Sequence, residues 1–368
     1  MIGRPTSAQA TNLAALAPDP RQFLAEFELP RHLEATGPIE ATGLARDSVR
    51  LQVASNTGGV LDMAFEEIAL NFGPGDVLVV NDSGTLPAAV LGRLAGETIF
   101  VHVAVPAQGR PHEYRAIELR TPTGISSVPF DRVSPGDIIE LPEGGTATII
   151  DPFTPGQKRL WLARLALPEA LVAYLYRHGQ PIRYSYAAQR WPLASYQTIF
   201  AREPGSSEMP SAGRPFTAAT LATLAERGVS IEALTLHTGV ASLESHEPPY
   251  PEPYNVPWRT ARRVNAARLS GNRVVAVGTT VVRALQTVCD DAGVVNSGSG
   301  FTDLVIEPGD IVRSVDGILT GWHEPKATHL HMLEAIAGGE LLANSYADAL
   351  VKGYKWHEFG DMQLILRN

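Results

Sequence analysis

"GNRVVAVGTTVVRALQTV", residues 271 to 288, decides the fold class. Val274 to Val277 form an apolar, largely β-branched run, as expected of a strand buried on both faces. The run stops at Gly278, two threonines follow, and Val281, Val282, Leu285 and Val288 then recur at helical spacing. Such a junction sets helix N-terminal N–H groups, and here the hydroxyls of Thr279 and Thr280, beside any anionic or polyhydroxylated ligand at the end of the strand. It also builds α/β proteins that bind nothing there. Thr279 or Thr280 is expected to cap the helix, with Arg283 one turn inside it.

Outward from this unit, "FTAATLATLAERG", "PWRTARRVNAARLSG", "KATHLHMLEAIAG" and "ELLANSYADALVKG" read as helices, and "VSIEALTLHTG" as a strand. Between about 75 and 165 the character changes. "DVLVV", "TIFVHVAV", "HEYRAIELR", "DIIEL", "TATII" and "RLWLARL" are short β-rich runs separated by Gly- and Pro-containing turns. The pattern predicts a mixed α/β main domain (23–80 and 166–368), an inserted small antiparallel, barrel-like β domain (81–165) and a flexible leader (1–22). "PEALVAYLYRHG" restores helix after the insertion, with Pro168 expected at its first position.

The 368 residues exceed the roughly 250–300 at which single cores stop growing. No stretch approaches the ~18–20 apolar residues of a membrane span, and the N-terminus lacks a secretory pattern. A cytoplasmic protein without membrane attachment is expected. Cys289 is the only cysteine, which excludes an internal disulfide and a thiolate-rich metal site. His329 and His331, two apart on a helix, point in different directions, so no metal is expected there. The net charge of −9 excludes a general nucleic-acid binder, although Arg259, Arg262 and Arg263 share a helix face that is either solvated or phosphate-binding.

Three further stretches carry candidate chemistry. "TLHTG" ends a strand at His237, a side chain suited to proton transfer near neutrality. "YQTIFAREPGSSEMPSAGRPF" is a long polar loop of the kind that is functional or disordered, and it offers Glu203, Glu208 and several serines. "GWHEP" places His323 before a helix entrance.

Taken in order, "FELP", "RDSVRL", "GDVLVVND", "YQTIFAREPGS", "PSAGRPF", "TLHTG", "NRVVAVGTTVVRALQT" and "FGDMQLI" resemble the S-adenosylmethionine:tRNA ribosyltransferase-isomerase family of queuosine biosynthesis, from about residue 27 to 366. The resemblance implies a main α/β domain with an inserted β-rich domain. It also implies transfer and isomerisation of the ribosyl moiety of S-adenosylmethionine to a 7-aminomethyl-7-deazaguanine base in tRNA, giving epoxyqueuosine with release of adenine and methionine. S-Adenosylmethionine would be a substrate and tRNA the partner; the sequence leaves the oligomeric state open, with a monomer favoured. On this resemblance His237, His323 and Glu203 are the proton-transfer candidates. Gly278, Thr279, Thr280, Arg283, Tyr196, Gln197, Gly205, Ser211, Gly213, Asn81, Asp82 and Arg46 are the substrate-binding candidates.

The chain departs from the family inside these motifs. "SAGRPF" has Arg214 and Pro215 where the family has Leu-His, and "NDSG" has Gly84 where the family has an arginine. "QPIRYSY" replaces Pro-Leu-Pro-Pro-Tyr, "GWHEP" introduces Glu324, and a proline-rich, acidic segment covers 243–257. A paralogue using a different, small-molecule acceptor, or a binding module on the same scaffold, therefore stay open as alternatives.

Overall fold

The computed structural model describes residues 19–123, 126–183, 186–187, 189–240 and 250–367. Alternation along the apolar strands builds the main domain. In Val77–Asn81, Val77 and Val79 enter one core while Leu78 and Val80 enter the other. Val274–Val277 divides in the same way, with Val274 and Ala276 on one side and Val275 and Val277 on the other. These strands, apolar on both faces, are thus covered on both sides, as parallel sheets require.

The main sheet has nine strands, in the order Gly298–Thr302, Glu252–Val256, Ser230–Leu236, Val77–Asn81, Val274–Val277, Gly317–Gly321, Met362–Leu366, Arg50–Ser55 and Gly59–Ala64. Ser230–Leu236, Val77–Asn81, Val274–Val277 and Gly317–Gly321 run parallel. Their C-terminal ends, at Asn81, Leu236, Val277 and Gly321, therefore lie on one edge, where open α/β sheets place their ligands.

The helix after Gly278 is Thr279–Thr287, and its apolar stripe of Val281, Val282, Ala284 and Leu285 is buried. Its N-cap is Gly278 itself, without a side-chain cap, rather than either threonine. Gly278 has φ of +96°, a conformation that favours glycine, and its N–H donates to Leu319 O at 2.8 Å.

The second body is a closed six-stranded antiparallel barrel with its own core. Ala89–Leu94, Glu97–Pro106 and Tyr114–Thr123 pair in sequence, and Leu160–Ala166 closes the ring on Tyr114–Thr123, with Thr146–Pro152 and Ile138–Glu140 completing it. The barrel strands run from 89 to 166, and Gly179–Gln180 adds to Ala89–Leu94 from outside. Ser83–Thr85 pairs back onto Glu203–Ser206.

Three local expectations are corrected. Residues 20–22 of the leader belong to the helix Pro20–Glu26, capped by Asp19 and held by buried Leu24; residues 1–18 lie outside the described residues. The helix expected from Pro168 begins at Leu171. The polar stretch 196–216 contains the strand Glu203–Ser206 and the turn Ser211–Gly213. Residues 184 and 185, and 243–249 of the proline-rich segment, lie outside the described residues. No helix among the described residues is long and apolar enough to cross a membrane.

Candidate active site

Asn81 ties the strand ends together. Its Nδ2 donates to Leu236 O (2.8 Å) and to Thr280 Oγ1 (3.2 Å), while its Oδ1 accepts from Leu236 N and Ser83 N. His237, one residue beyond its strand, meets Ser83 Oγ through Nδ1 at 2.7 Å, and Ser83 Oγ lies 2.5 Å from Ser206 Oγ. Gly205 packs flat on this imidazole, since a Cβ there would come within 2.4 Å of its ring. Burial first, and then the charge of Arg115 from the barrel, lower the His237 pKa to about 4, so the ring is neutral at pH 7. Asp82 accepts from Thr235 Oγ1 at 2.7 Å; burial raises its pKa, with the Glu203 carboxylate adding to the shift. The Glu203 side chain itself is exposed.

Arg283 is fully engaged. It is ion-paired with Glu252 and donates to Leu304 O and Thr302 O, largely out of solvent. Thr279 is buried, and Gly278 packs against Ala212, where a Cβ would lie 3.3 Å from the alanine methyl. The Gly-Thr-Thr turn thus contacts the Ser211–Gly213 loop directly.

Beside it, a cavity of about 310 Å³ separates the main domain from the barrel. This volume is at the lower end of small-molecule sites. The main-domain wall carries His323, His329, His357 and Glu358. His323 Nε2 lies 2.9 Å from Thr320 Oγ1, and its ring stacks on His329 with centroids 4.6 Å apart. Burial first, then His329 and His357, hold the His323 pKa well below 6.5. His329, whose ring opens on the cavity, is lowered to about 4 by the surrounding protein and by Arg283. The Glu358 Oε2 atom is buried with no hydrogen-bond partner among the described residues, and burial raises its pKa to about 7. The wall therefore pairs imidazoles that stay neutral at pH 7 with a carboxyl able to hold a proton.

The barrel wall is Ala89, Phe100, His102, Glu118 and Arg120. These residues are cross-strand neighbours: His102 faces Ala89 and Glu118, and Phe100 faces Arg120. Inspection of the sequence missed His102, Glu118, His357 and Glu358. The available signal was a histidine in "TIFVHVAV" and a glutamate in "AIELR", polar residues within otherwise apolar strands, whose pairing depends on the register of the hairpin.

The loop candidates serve mainly to hold the architecture. Gln197 clamps Thr85 through both its carbonyl (3.0 Å) and its N–H (2.7 Å). Tyr196 is buried against Phe359, and Gly213 packs on Phe200. Arg46 donates to Glu40 (2.9 Å) and to Gln197 O (2.7 Å). Arg214, only 2% exposed, takes both oxygens of the same Glu40 at 2.9 and 2.8 Å. Burial raises the Glu40 pKa, but these guanidinium contacts outweigh it and leave it lowered. Arg214 is thus an internal anchor. Of the residues proposed from sequence, Ser211 and His323 line the cavity; His237 and Gly278 to Thr280 form the adjoining strand edge, and Arg46, Tyr196, Gln197 and Gly213 support the loop.

An α/β domain with an inserted barrel, and a cavity between them walled by proton-handling side chains, define a two-body enzyme scaffold. The chain belongs to the queuosine biosynthesis protein family, whose sequence profile matches residues 23–365. It is 35% identical over 350 residues to the S-adenosylmethionine:tRNA ribosyltransferase-isomerase of Symbiobacterium thermophilum, covering 93% of this chain and 98% of that protein. It is 34% identical to the protein of the same name from Geobacter sulfurreducens, over 92% of this chain and 98% of the relative. The crystal structure of the S-adenosylmethionine tRNA ribosyltransferase from Thermotoga maritima superposes with a TM-score of 0.51 at 27% identity, over 93% of this chain and all of that one.

Proposed function

We propose that this protein transfers and isomerises the ribosyl moiety of S-adenosylmethionine onto a 7-aminomethyl-7-deazaguanine base in tRNA, releasing adenine and methionine, as a single chain in the cytoplasm. One observation carries the reading: relatives named for this activity align over nearly the whole chain, both the α/β domain and the barrel that together enclose the cavity. The chemistry fits the walls. A sulfonium acidifies the neighbouring C–H bonds, so a base that takes a proton from the 5′ carbon starts opening of the sugar and expulsion of adenine. A cavity histidine that is neutral at pH 7 presents a lone pair to that proton, and a carboxyl that holds its proton near pH 7 can return one to a leaving group. Enclosure between two bodies keeps water from the opened sugar. His237 is held by Ser83 at the strand edge, and His323 lies inside the cavity.

The test is incubation of the purified protein with S-adenosylmethionine, with and without tRNA bearing the aminomethyl-deazaguanine base, following adenine by chromatography. Adenine release that requires the tRNA is expected. Release without tRNA assigns a different acceptor, and no release in either case overturns the reading.

A further inference from the structure

The barrel wall holds acid–base machinery of its own. His102 Nδ1 lies 3.1 Å from Glu118 Oε2, and both side chains are 6% exposed. The other Glu118 oxygen takes Arg120 Nη1 at 3.0 Å and Arg159 Nη1 at 3.4 Å. Burial pushes the Glu118 pKa up, but the His102 contact and the two guanidinium groups outweigh it, so the carboxylate stays charged. A fixed carboxylate on Nδ1 keeps the proton of the neutral ring there and leaves Nε2 as the lone-pair nitrogen. Nε2 has no hydrogen bond among the described residues, and the ring lines the cavity. His102 and Glu118 face each other across the hairpin, and both line the cavity together with His323 and His357 of the main domain.

Resting on the function proposed above, we infer that His102 is a proton-transfer residue contributed by the barrel and that Glu118 is its positioning residue. The proton is one from the acceptor's aminomethyl group. A primary alkylammonium is protonated at neutral pH, with an unperturbed pKa of about 10 as in lysine, and has no lone pair with which to attack carbon. In the step assigned to His102, one N–H bond of the ammonium breaks, its electron pair stays on nitrogen, and the proton bonds to Nε2. The products are a neutral amine and an imidazolium paired with the Glu118 carboxylate. The Glu118 carboxylate on Nδ1 stabilises the imidazolium that the transfer creates, and desolvation in the cavity disfavours the ammonium.

The experiment uses the full chain with H102Q and E118Q. Single-turnover formation of the modified base is measured by mass spectrometry of digested tRNA, S-adenosylmethionine affinity by calorimetry, and the imidazole tautomer by ¹⁵N NMR. H102Q is expected to slow base modification by about 10²–10⁴-fold, with S-adenosylmethionine affinity within threefold of wild type. E118Q is expected to lower the population of the Nδ1–H tautomer of His102 and to slow the reaction while keeping the same affinity. H102Q turning over within threefold of wild type overturns the inference and leaves the function standing. A wild type that binds S-adenosylmethionine yet modifies no base overturns the function, and the inference with it.

Discussion

Glu358 and the cavity histidines titrate in opposite senses, and that difference can be measured. Burial raises Glu358 from an ordinary 4.5 to about 7. Between those values the folded chain keeps a proton that the unfolded chain has released, so this group's contribution to stability falls as pH rises and is fully gone above about 7. The histidines run the other way. Their lowered pKa values mean that the folded chain has released protons the unfolded chain still holds, so stability rises as pH climbs toward 6.5. E358Q removes only the falling limb. Its stability relative to wild type is expected to increase between about pH 5 and 8, by up to about 3 kcal/mol at 1.36 kcal/mol per pKa unit. Urea titrations at the two pH values read this directly, and a pH-independent difference would show that Glu358 ionises normally. "KWHEFGD" has no spacing that marks this carboxyl, because the residues that share the cavity with it, from the barrel and from 321–324, are distant in the sequence. His323 was legible because a lone histidine sat between a strand and a helix entrance.

At the scale of elements, the short strand Glu203–Ser206 accounts for most of what the long polar loop does. Pairing with Ser83–Thr85 brings Ser206 onto Ser83 and lays Gly205 against the His237 ring, so a single two-stranded ribbon orients the imidazole. In G205A the new methyl would sit 2.4 Å from Cε1 and Nδ1 of His237, and the ring must leave Ser83. Turnover is expected to fall at least about 10-fold, since displacements near 1 Å at a reacting centre cost as much as 10²-fold. Adenine release together with a thermal melt checks it: full activity in a folded G205A removes His237 from the chemistry. In the sequence Gly205 stands out only as a loop glycine. Its reason for being glycine lies on a strand about thirty residues later, beyond the reach of local patterning. The Gly278 turn was legible for the opposite reason, because strand, positive-φ glycine and amphipathic helix are adjacent in the chain. Its cap departs from the expectation: with φ of +96° the glycine alone makes the turn, and the threonines fall inside the helix.

Across the whole molecule, two cores and a cavity between them follow from one interruption of an α/β pattern by β-rich sequence. The change of pattern near 75 and 165 was visible, but closure of the barrel by Leu160–Ala166 on Tyr114–Thr123 was not, since long-range register leaves no local mark. The same topology locates the basic helix Trp258–Leu269. Arg259 lies 3.3 Å from Glu232 and Arg263 donates to Ser230 Oγ, both in the first half of the strand Ser230–Leu236, whereas His237 lies just past its far end. At about 3.3 Å per residue this puts the Arg263 contact roughly 20 Å along the strand from the site. Arg262 rests over the exposed Trp258 ring at 4.6 Å. These arginines are therefore expected to serve the helix face and not the acceptor. The triple variant R259A/R262A/R263A should modify tRNA with kcat and KM within about threefold of wild type, and the slope of log affinity against log salt should be unchanged. Were the helix seated on a duplex stem, every phosphate it no longer neutralised would reduce that slope by about 0.9. A reduction of two or more would place the helix on the tRNA and extend the binding surface around the sheet from its C-terminal edge.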